Sequence, residues 1–179
     1  MAYLLYLAQS NDDSFAEWQG IPYRLPGEIV YEGWLPPAGP GRDRAIQYAP
    51  TLAKVEAEND LPNGLLVRVG WQESRFRDDI ISGETRSPVG AMGMFQFMPR
   101  TAANPGYGVQ PLRDPLDWRE SAETAGEYLA AMRYRTRSWS EALAAYNWGL
   151  GNVQRVGLGA APRETRDYYG SITSDLDIA

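Results

Sequence analysis

Hydrophobic positions along the chain change from short runs to helical spacing at about residue 42. Before that point, apolar and aromatic runs at 3–7 and 29–31 are interrupted by Gly and Pro, which predicts short strands and turns. The segment Leu35-Pro-Pro-Ala-Gly-Pro-Gly41 cannot continue a helix or a central strand, because its prolines lack amide donors and its glycines carry high backbone entropy. We therefore expect a β-rich N-terminal appendage and linker over residues 1–41 and a helical domain over 42–179.

The first two helices of this domain are predicted from apolar periodicity. One runs from Arg42 to near Asn59. The next should begin at Leu61-Pro62, since proline is well tolerated in a first turn, and continue through Leu65 and Val69 to Glu73. Both would place an apolar face against the rest of the domain.

Two later helices are predicted from their start signals. Asp117-Trp-Arg-Glu120 and Ser138-Trp-Ser-Glu141 both have the form of a capping box. The helix after the first box has an apolar stripe formed by Ala122, Ala125, Leu129 and Met132. The segment 82–108 is rich in Gly, Pro, Ser and Thr, which predicts a long loop broken by a short helix near 99–103. The pattern as a whole indicates a mainly α fold.

Composition limits the chemistry that this chain can perform. Its 179 residues suit one domain with a small appendage, and none of them is His or Cys. Imidazole bases, thiolate nucleophiles and nitrogen or sulfur metal ligands are therefore excluded, and we expect metal-free catalysis by carboxylates, hydroxyls or amides. A formal charge of −6 argues against nucleic acid as a partner. No apolar run approaches the roughly 20 residues that cross a bilayer, so no membrane span is expected.

Glu73 is the strongest candidate for a catalytic group. It follows Leu65 and Val69 at intervals of four residues, which places its carboxylate on the apolar face of a helix. Desolvation there would raise its pKa, as a general acid acting near neutral pH requires. The alternative is an ordinary helix-end acid that faces solvent or pairs with Arg75 or Arg77.

Four segments resemble motifs of a known family and occur in the same order along the chain. Trp71-Gln-Glu-Ser-Arg-Phe76 resembles the Glu-Ser motif of soluble lytic transglycosylases and goose-type lysozymes. The other three segments are Ser87-Pro-Val-Gly-Ala-Met-Gly-Met-Phe-Gln-Phe-Met-Pro99, Ala144-Ala-Tyr-Asn-Trp-Gly149 and Glu164-Thr-Arg-Asp-Tyr168. The resemblance covers about residues 42–172 and departs from the family at Met94-Phe95, where Leu-Met is usual. It implies a mainly helical, lysozyme-like catalytic domain with Glu73 as its acid and base.

The resemblance also implies substrate-binding roles for five residues, each with a structural alternative. Ser87 would bind the catalytic carboxyl group or a sugar, or else form a turn. Gln96 would recognise an N-acetyl group, or cap its loop, and Met98 would form a wall of the cleft, or pack in the core. Tyr146 would reach the catalytic glutamate or the acetamide rather than be buried. Asn147 would touch substrate, although structural support at a helix end is favoured.

The reaction implied by the resemblance is cleavage of the β-1,4 bond between N-acetylmuramic acid and N-acetylglucosamine in peptidoglycan glycan strands, leaving a 1,6-anhydromuramic end. It would need no metal or organic cofactor. One rival is a hydrolytic muramidase on the same fold, in which water is positioned by a second acid, Asp78, Asp79 or Glu84. Another is a non-catalytic glycan-binding virion protein with a decayed cleft. Retention of Glu73, Gln96 and Tyr146 together argues against decay.

The route to the cell wall is a separate question. Met1-Ala-Tyr-Leu-Leu-Tyr-Leu-Ala8 is apolar but lacks a basic leader and the length of a secretory core. We expect action in the bacterial periplasm or cell wall by another route, as a bacteriophage virion or lysis component or as part of an envelope complex. Residues 1–41 would then dock the enzyme to that assembly.

Overall fold

Eight α-helices make up most of residues 31–178, which are the residues described by the structure, a computed structural model. Within that range there is no strand, and Met92 and Phe97 make one isolated antiparallel bridge. The predicted mainly helical fold is confirmed. In chain order the helices are α1 (Pro40–Glu58), α2 (Leu65–Ser74), α3 (Asp78–Ile81), α4 (Pro99–Ala103), α5 (Trp118–Tyr134), α6 (Trp139–Trp148), α7 (Leu150–Val156) and α8 (Arg163–Leu176).

The two predicted capping signals do begin helices. Asp117 Oδ1 accepts hydrogen bonds from the amides of Arg119 and Glu120 at the start of α5. Ser138 Oγ accepts one from the amide of Glu141 at the start of α6, at 3.2 Å. These acceptors satisfy amides that have no partner within the helix. The short helix predicted near 99–103 is also confirmed as α4.

The start of α2 differs from its prediction. The helix begins at Leu65 rather than at Leu61-Pro62, because Gly64 adopts a left-handed conformation with φ 88° and turns the chain first. The cap comes from a distant residue: Glu56, on α1, accepts hydrogen bonds from the amides of Gly64 at 2.8 Å and Leu66 at 2.6 Å. Glu56 is fully buried, and this burial raises its pKa to about 7 despite those bonds.

The core surrounds α2, which contacts α1, α5 and α8. The predicted apolar stripe of α5 is buried in full, and so are four residues of α2: Leu65, Leu66, Val67 and Val69. Helix α8 packs against α6 as well as α2. The end of α2, the loop before α4, the end of α6 and the middle of α8 therefore meet around one place.

Part of the segment before α1 packs on the helical domain. Tyr31 donates a hydrogen bond to the carbonyl of Trp34, and the Trp34 ring lies 5.1 Å from the Arg68 guanidinium. The strands predicted at 3–7 and 29–31 fall, apart from Tyr31, outside the described residues, and the boundary at residue 41 stays a prediction. No helix between residues 31 and 178 has the length and apolar character to span a membrane.

Candidate active site

Glu73 lies in the last turn of α2, where the helix reaches the surface of the core. Its side chain is half-buried, and its Oε1 accepts a hydrogen bond from the Tyr168 hydroxyl at 2.8 Å. Burial raises the pKa of Glu73 to about 7. The Tyr168 hydrogen bond opposes this rise, and the negative charge of Glu164 adds to it. A carboxyl group with this pKa can both give and take a proton near neutral pH.

Tyr168 is a site residue that the sequence reasoning did not assign. It lies on α8 and is buried, and burial raises the pKa of its phenol well above the usual value, so the hydroxyl stays protonated and acts as a donor. Thr165, one turn earlier on the same helix, donates a hydrogen bond to Asn147 Oδ1 at 2.8 Å. The signal was present in the closing motif Glu164-Thr-Arg-Asp-Tyr168, whose last residue is the partner of Glu73.

Tyr146 contacts the loop before α4. Its hydroxyl donates a hydrogen bond to the Phe95 carbonyl at 3.1 Å, and its ring packs at an angle against those of Phe97 and Tyr128. The pKa of its phenol is raised well above the usual value by burial, with a further contribution from the charge of Glu73. The structure thus places Tyr146 near Glu73 but bonded to the backbone. A direct contact with substrate stays a prediction.

Gln96 and Asn147 both line the cleft beside Glu73. One atom of each side-chain amide makes a hydrogen bond within the protein. Gln96 has a left-handed backbone, with φ 49°, and its Nε2 donates to the Gly93 carbonyl at 2.9 Å. The Asn147 Oδ1 is taken by Thr165. The remaining atoms, the Gln96 oxygen and the Asn147 NH₂ group, are complementary to an acetamide or a hydroxyl.

Met98 and Ser87 have different surroundings. Met98 is 42% exposed and forms part of the cleft wall immediately before α4. Ser87 Oγ accepts a hydrogen bond from the Val89 amide at 3.2 Å, which is a turn contact. Ser87 does not line either of the two cavities that adjoin Glu73 in the described part of the chain. Its contact with a sugar stays a prediction.

The cleft has two halves that meet at Glu73 and Asn147. One is a narrow cavity of about 120 Å³, which we call the aromatic half, lined by Phe95, Gln96, Phe97, Met98, Tyr128 and Tyr146. The other is an open cavity of about 730 Å³, which we call the charged half, lined by Arg68, Gln72, Arg75, Arg163, Glu164 and Asp167. Flat rings suit the faces of sugars, whereas charged groups suit a polar or ionic substituent.

The acids considered as a second catalytic group lie elsewhere. Asp78, Asp79 and Glu84 do not appear among the described residues lining either half. Hydrogen bonds from Arg77 hold the pKa of Asp79 at about 2, which is far below the range of an effective base at neutral pH. Glu164 does line the charged half, although the sequence reasoning did not single it out. Over residues 31–178, no group of three His, Cys, Asp or Glu could hold a metal ion.

Changing Tyr168 to Phe should move the pH profile of activity. The Tyr168 hydrogen bond lowers the pKa of Glu73 from the value that burial alone would impose. Without it, Glu73 stays protonated to higher pH, so the alkaline limb of kcat/KM should shift upward, by about one pH unit if the bond contributes roughly 1.5 kcal/mol. Tyr169→Phe, on the same helix, is the matched control and should leave the limb in place. A downward shift for Tyr168→Phe would contradict the assigned bond.

Comparisons with known proteins agree with this arrangement. The transglycosylase SLT domain model matches residues 51–168. This range includes Glu73, Tyr168 and all the residues that line the two halves of the cleft except Ser171. The chain is also similar to membrane-bound lytic murein transglycosylase F 2 of Alkalilimnicola ehrlichii, with 28% identity over 153 residues. That match covers 82% of this chain and 32% of the relative, so the chain spans about a third of that protein's length. The chain belongs to the transglycosylase SLT domain family.

Proposed function

We propose that this protein is a peptidoglycan lytic transglycosylase that cleaves the β-1,4 bond after N-acetylmuramic acid and leaves a 1,6-anhydromuramic end. The proposal rests on the burial, the pKa and the hydrogen bonding of Glu73. This residue is half-buried, has a pKa of about 7 and is held by Tyr168 at the meeting point of the aromatic and charged halves. Family membership and the name of the relative from Alkalilimnicola ehrlichii support the same activity.

In the first step, Glu73 acts as an acid. Tyr168 donates to Oε1 and so fixes the orientation of the carboxyl group, which leaves Oε2 to protonate the bridging oxygen of the glycosidic bond. The rings of the aromatic half would hold the sugar beside it. The acetamide of the muramic residue then stabilises the cationic carbon, so the protein need not supply a second carboxylate for that purpose.

In the second step, Glu73 acts as a base. It removes the proton from the 6-hydroxyl of the same sugar, which attacks the anomeric carbon and closes the anhydro ring. Because the nucleophile belongs to the substrate, its high effective concentration favours this attack over that of water. The hydrogen bond from Tyr168 stabilises the carboxylate that exists between the two steps.

Hydrolysis by a muramidase is the second candidate, and Glu164 gives it a specific basis. This residue lines the charged half, and its negative charge raises the pKa of Glu73. A carboxylate in that place could position an attacking water as a base. It replaces Asp78, Asp79 and Glu84 as the acid to test.

The mass of the released fragments separates the two reactions. We expect fragments from purified peptidoglycan to carry anhydromuramic ends, each one water lighter than a hydrolytic product. Glu164→Gln should leave the anhydro product unchanged, since the lytic mechanism uses only Glu73. Reducing muramic ends from the parent enzyme, lost in Glu164→Gln, would establish the muramidase instead.

The proposed substrate implies the place of action, which is the bacterial cell wall and periplasm. Docking to a virion or envelope complex is expected through residues 1–41, which lie mostly outside the described range. A bacteriophage origin is expected as well. Both stay predictions. Particle association of the full chain, compared with a chain lacking residues 1–30, would test the docking prediction.

A further inference from the structure

The end of α2 places an arginine at the edge of the cleft. Arg75 and Phe76 both have left-handed backbones, with φ 53° and 52°. This conformation is unfavourable for residues with a Cβ and is usually kept only where the surroundings enforce it. Here the fully buried Phe76 ring stacks on Tyr48 with 5.5 Å between ring centres. The turn that buries Phe76 leaves the exposed Arg75 side chain in the charged half, two residues after Glu73.

The Arg75 side chain rests on a rigid support. Its guanidinium lies 4.8 Å from the centre of the Trp71 ring, in a cation–π contact. The Trp71 ring also lies close to α1, since a Cβ added to Gly41 would be 2.4 Å from two of its carbon atoms. This contact restrains the guanidinium, and its N–H groups can still donate to a planar acceptor such as a carboxylate.

Arg75 differs from the other two arginines of the charged half in its pairing. Arg68 Nε bonds to Asp175 at 2.6 Å, and Arg163 Nε lies 3.5 Å from Asp167. Among residues 31–178, no carboxylate lies within 4.0 Å of the Arg75 guanidinium. The pKa of Arg75 is lowered by partial desolvation at the cleft surface and by the positive charge of Arg68. A bound anion would relieve that repulsion.

We propose that Arg75 binds a carboxylate of the peptide attached to muramic acid, so that the enzyme prefers strands that carry their peptides. This inference rests on the proposed function and names the part of the substrate that the charged half receives. The cavity of about 730 Å³ is far larger than the lactyl group alone requires. Its mixed charges also suit a peptide better than a neutral sugar.

The test compares two substrates with the same sugars. One is soluble glycan strands with intact peptides, and the other is the same strands after an amidase has removed the peptides, which leaves only the lactyl carboxylate. Arg75→Ala should lower kcat/KM on the intact strands by about tenfold or more, mainly through KM, and should have little effect on the stripped strands. Arg119→Ala is the matched control, because Arg119 also stacks on a tryptophan, Trp118 at 4.3 Å, but lies outside the cleft.

Arg75→Gly guards against a loss caused by misfolding. Glycine adopts φ 53° without strain, so this variant should melt at the parental temperature or above and still show the selective loss. Equal losses on both substrates would overturn binding of the peptide carboxylate in favour of a contact with the sugars, which both substrates share. No loss on either would overturn carboxylate binding altogether. A parent enzyme that cleaves neither substrate would overturn the proposed function itself, and the inference with it.

Discussion

Glu73→Gln is expected to reduce cleavage of purified peptidoglycan by roughly 10³- to 10⁴-fold, because one residue performs both proton transfers of the proposed reaction. Glutamine keeps the size of the side chain, and its amide oxygen can still accept the hydrogen bond from Tyr168, which Glu73 Oε1 accepts at 2.8 Å. The transferable proton alone is lost. Fragment release measured by chromatography of soluble products, with thermal unfolding recorded in parallel, checks both parts of the expectation.

The matched control for this variant is Glu127→Gln, which makes the same change on the exposed surface of α5. Its activity should equal that of the parent. If the folded Glu73→Gln protein retained more than about a tenth of parental activity, general acid catalysis by Glu73 would be excluded.

Gly93→Ala should lower the free energy of unfolding by about 3 kcal/mol. The φ of Gly93 is +72°, and an added Cβ would lie 1.9 Å from the Pro115 carbonyl oxygen. The left-handed backbone costs an alanine roughly 1 kcal/mol, and displacement of a packed backbone costs about 1–3 kcal/mol more. For a chain of this size the melting temperature should fall by roughly 6–12 °C. Because Gln96 Nε2 bonds to the Gly93 carbonyl, activity should fall as well.

Gly90→Ala separates backbone strain from the steric clash. Gly90 has a similar φ of +84°, but the nearest atom to its added Cβ is 4.0 Å away on Pro99. This variant should lose only about 1 kcal/mol. Equal melting temperatures for Gly90→Ala and Gly93→Ala would show that the clash with the Pro115 carbonyl oxygen does not destabilise the fold.

Features set by neighbours in sequence could be predicted well. The starts of α5 and α6 depend on capping residues within four positions, and the apolar stripe of α5 depends on helical periodicity alone. The placement of Glu73 at a half-buried helix end follows from the same periodicity, through Leu65 and Val69. These interactions are local, so a single sequence contains the information that they require.

Features set by distant contacts could not be predicted in this way. Tyr168 lies 95 residues from Glu73 in sequence, and only the packing of α8 against α2 brings their side chains together. The role of Glu164 in the charged half has the same origin. The late start of α2 depends on a carboxylate from α1, which no local pattern around Leu61 indicates.

The Glu56 carboxylate should also limit fraying at the start of α2, the helix that carries Glu73. The first amides of a helix usually exchange with water as its end frays. In α2, the amides of Gly64 and Leu66 are instead bonded to a buried side chain of α1, so we expect hydrogen exchange at both amides to be slow. Glu73, the proposed general acid, thus lies at the end of a helix whose first amides are bonded to a neighbouring helix.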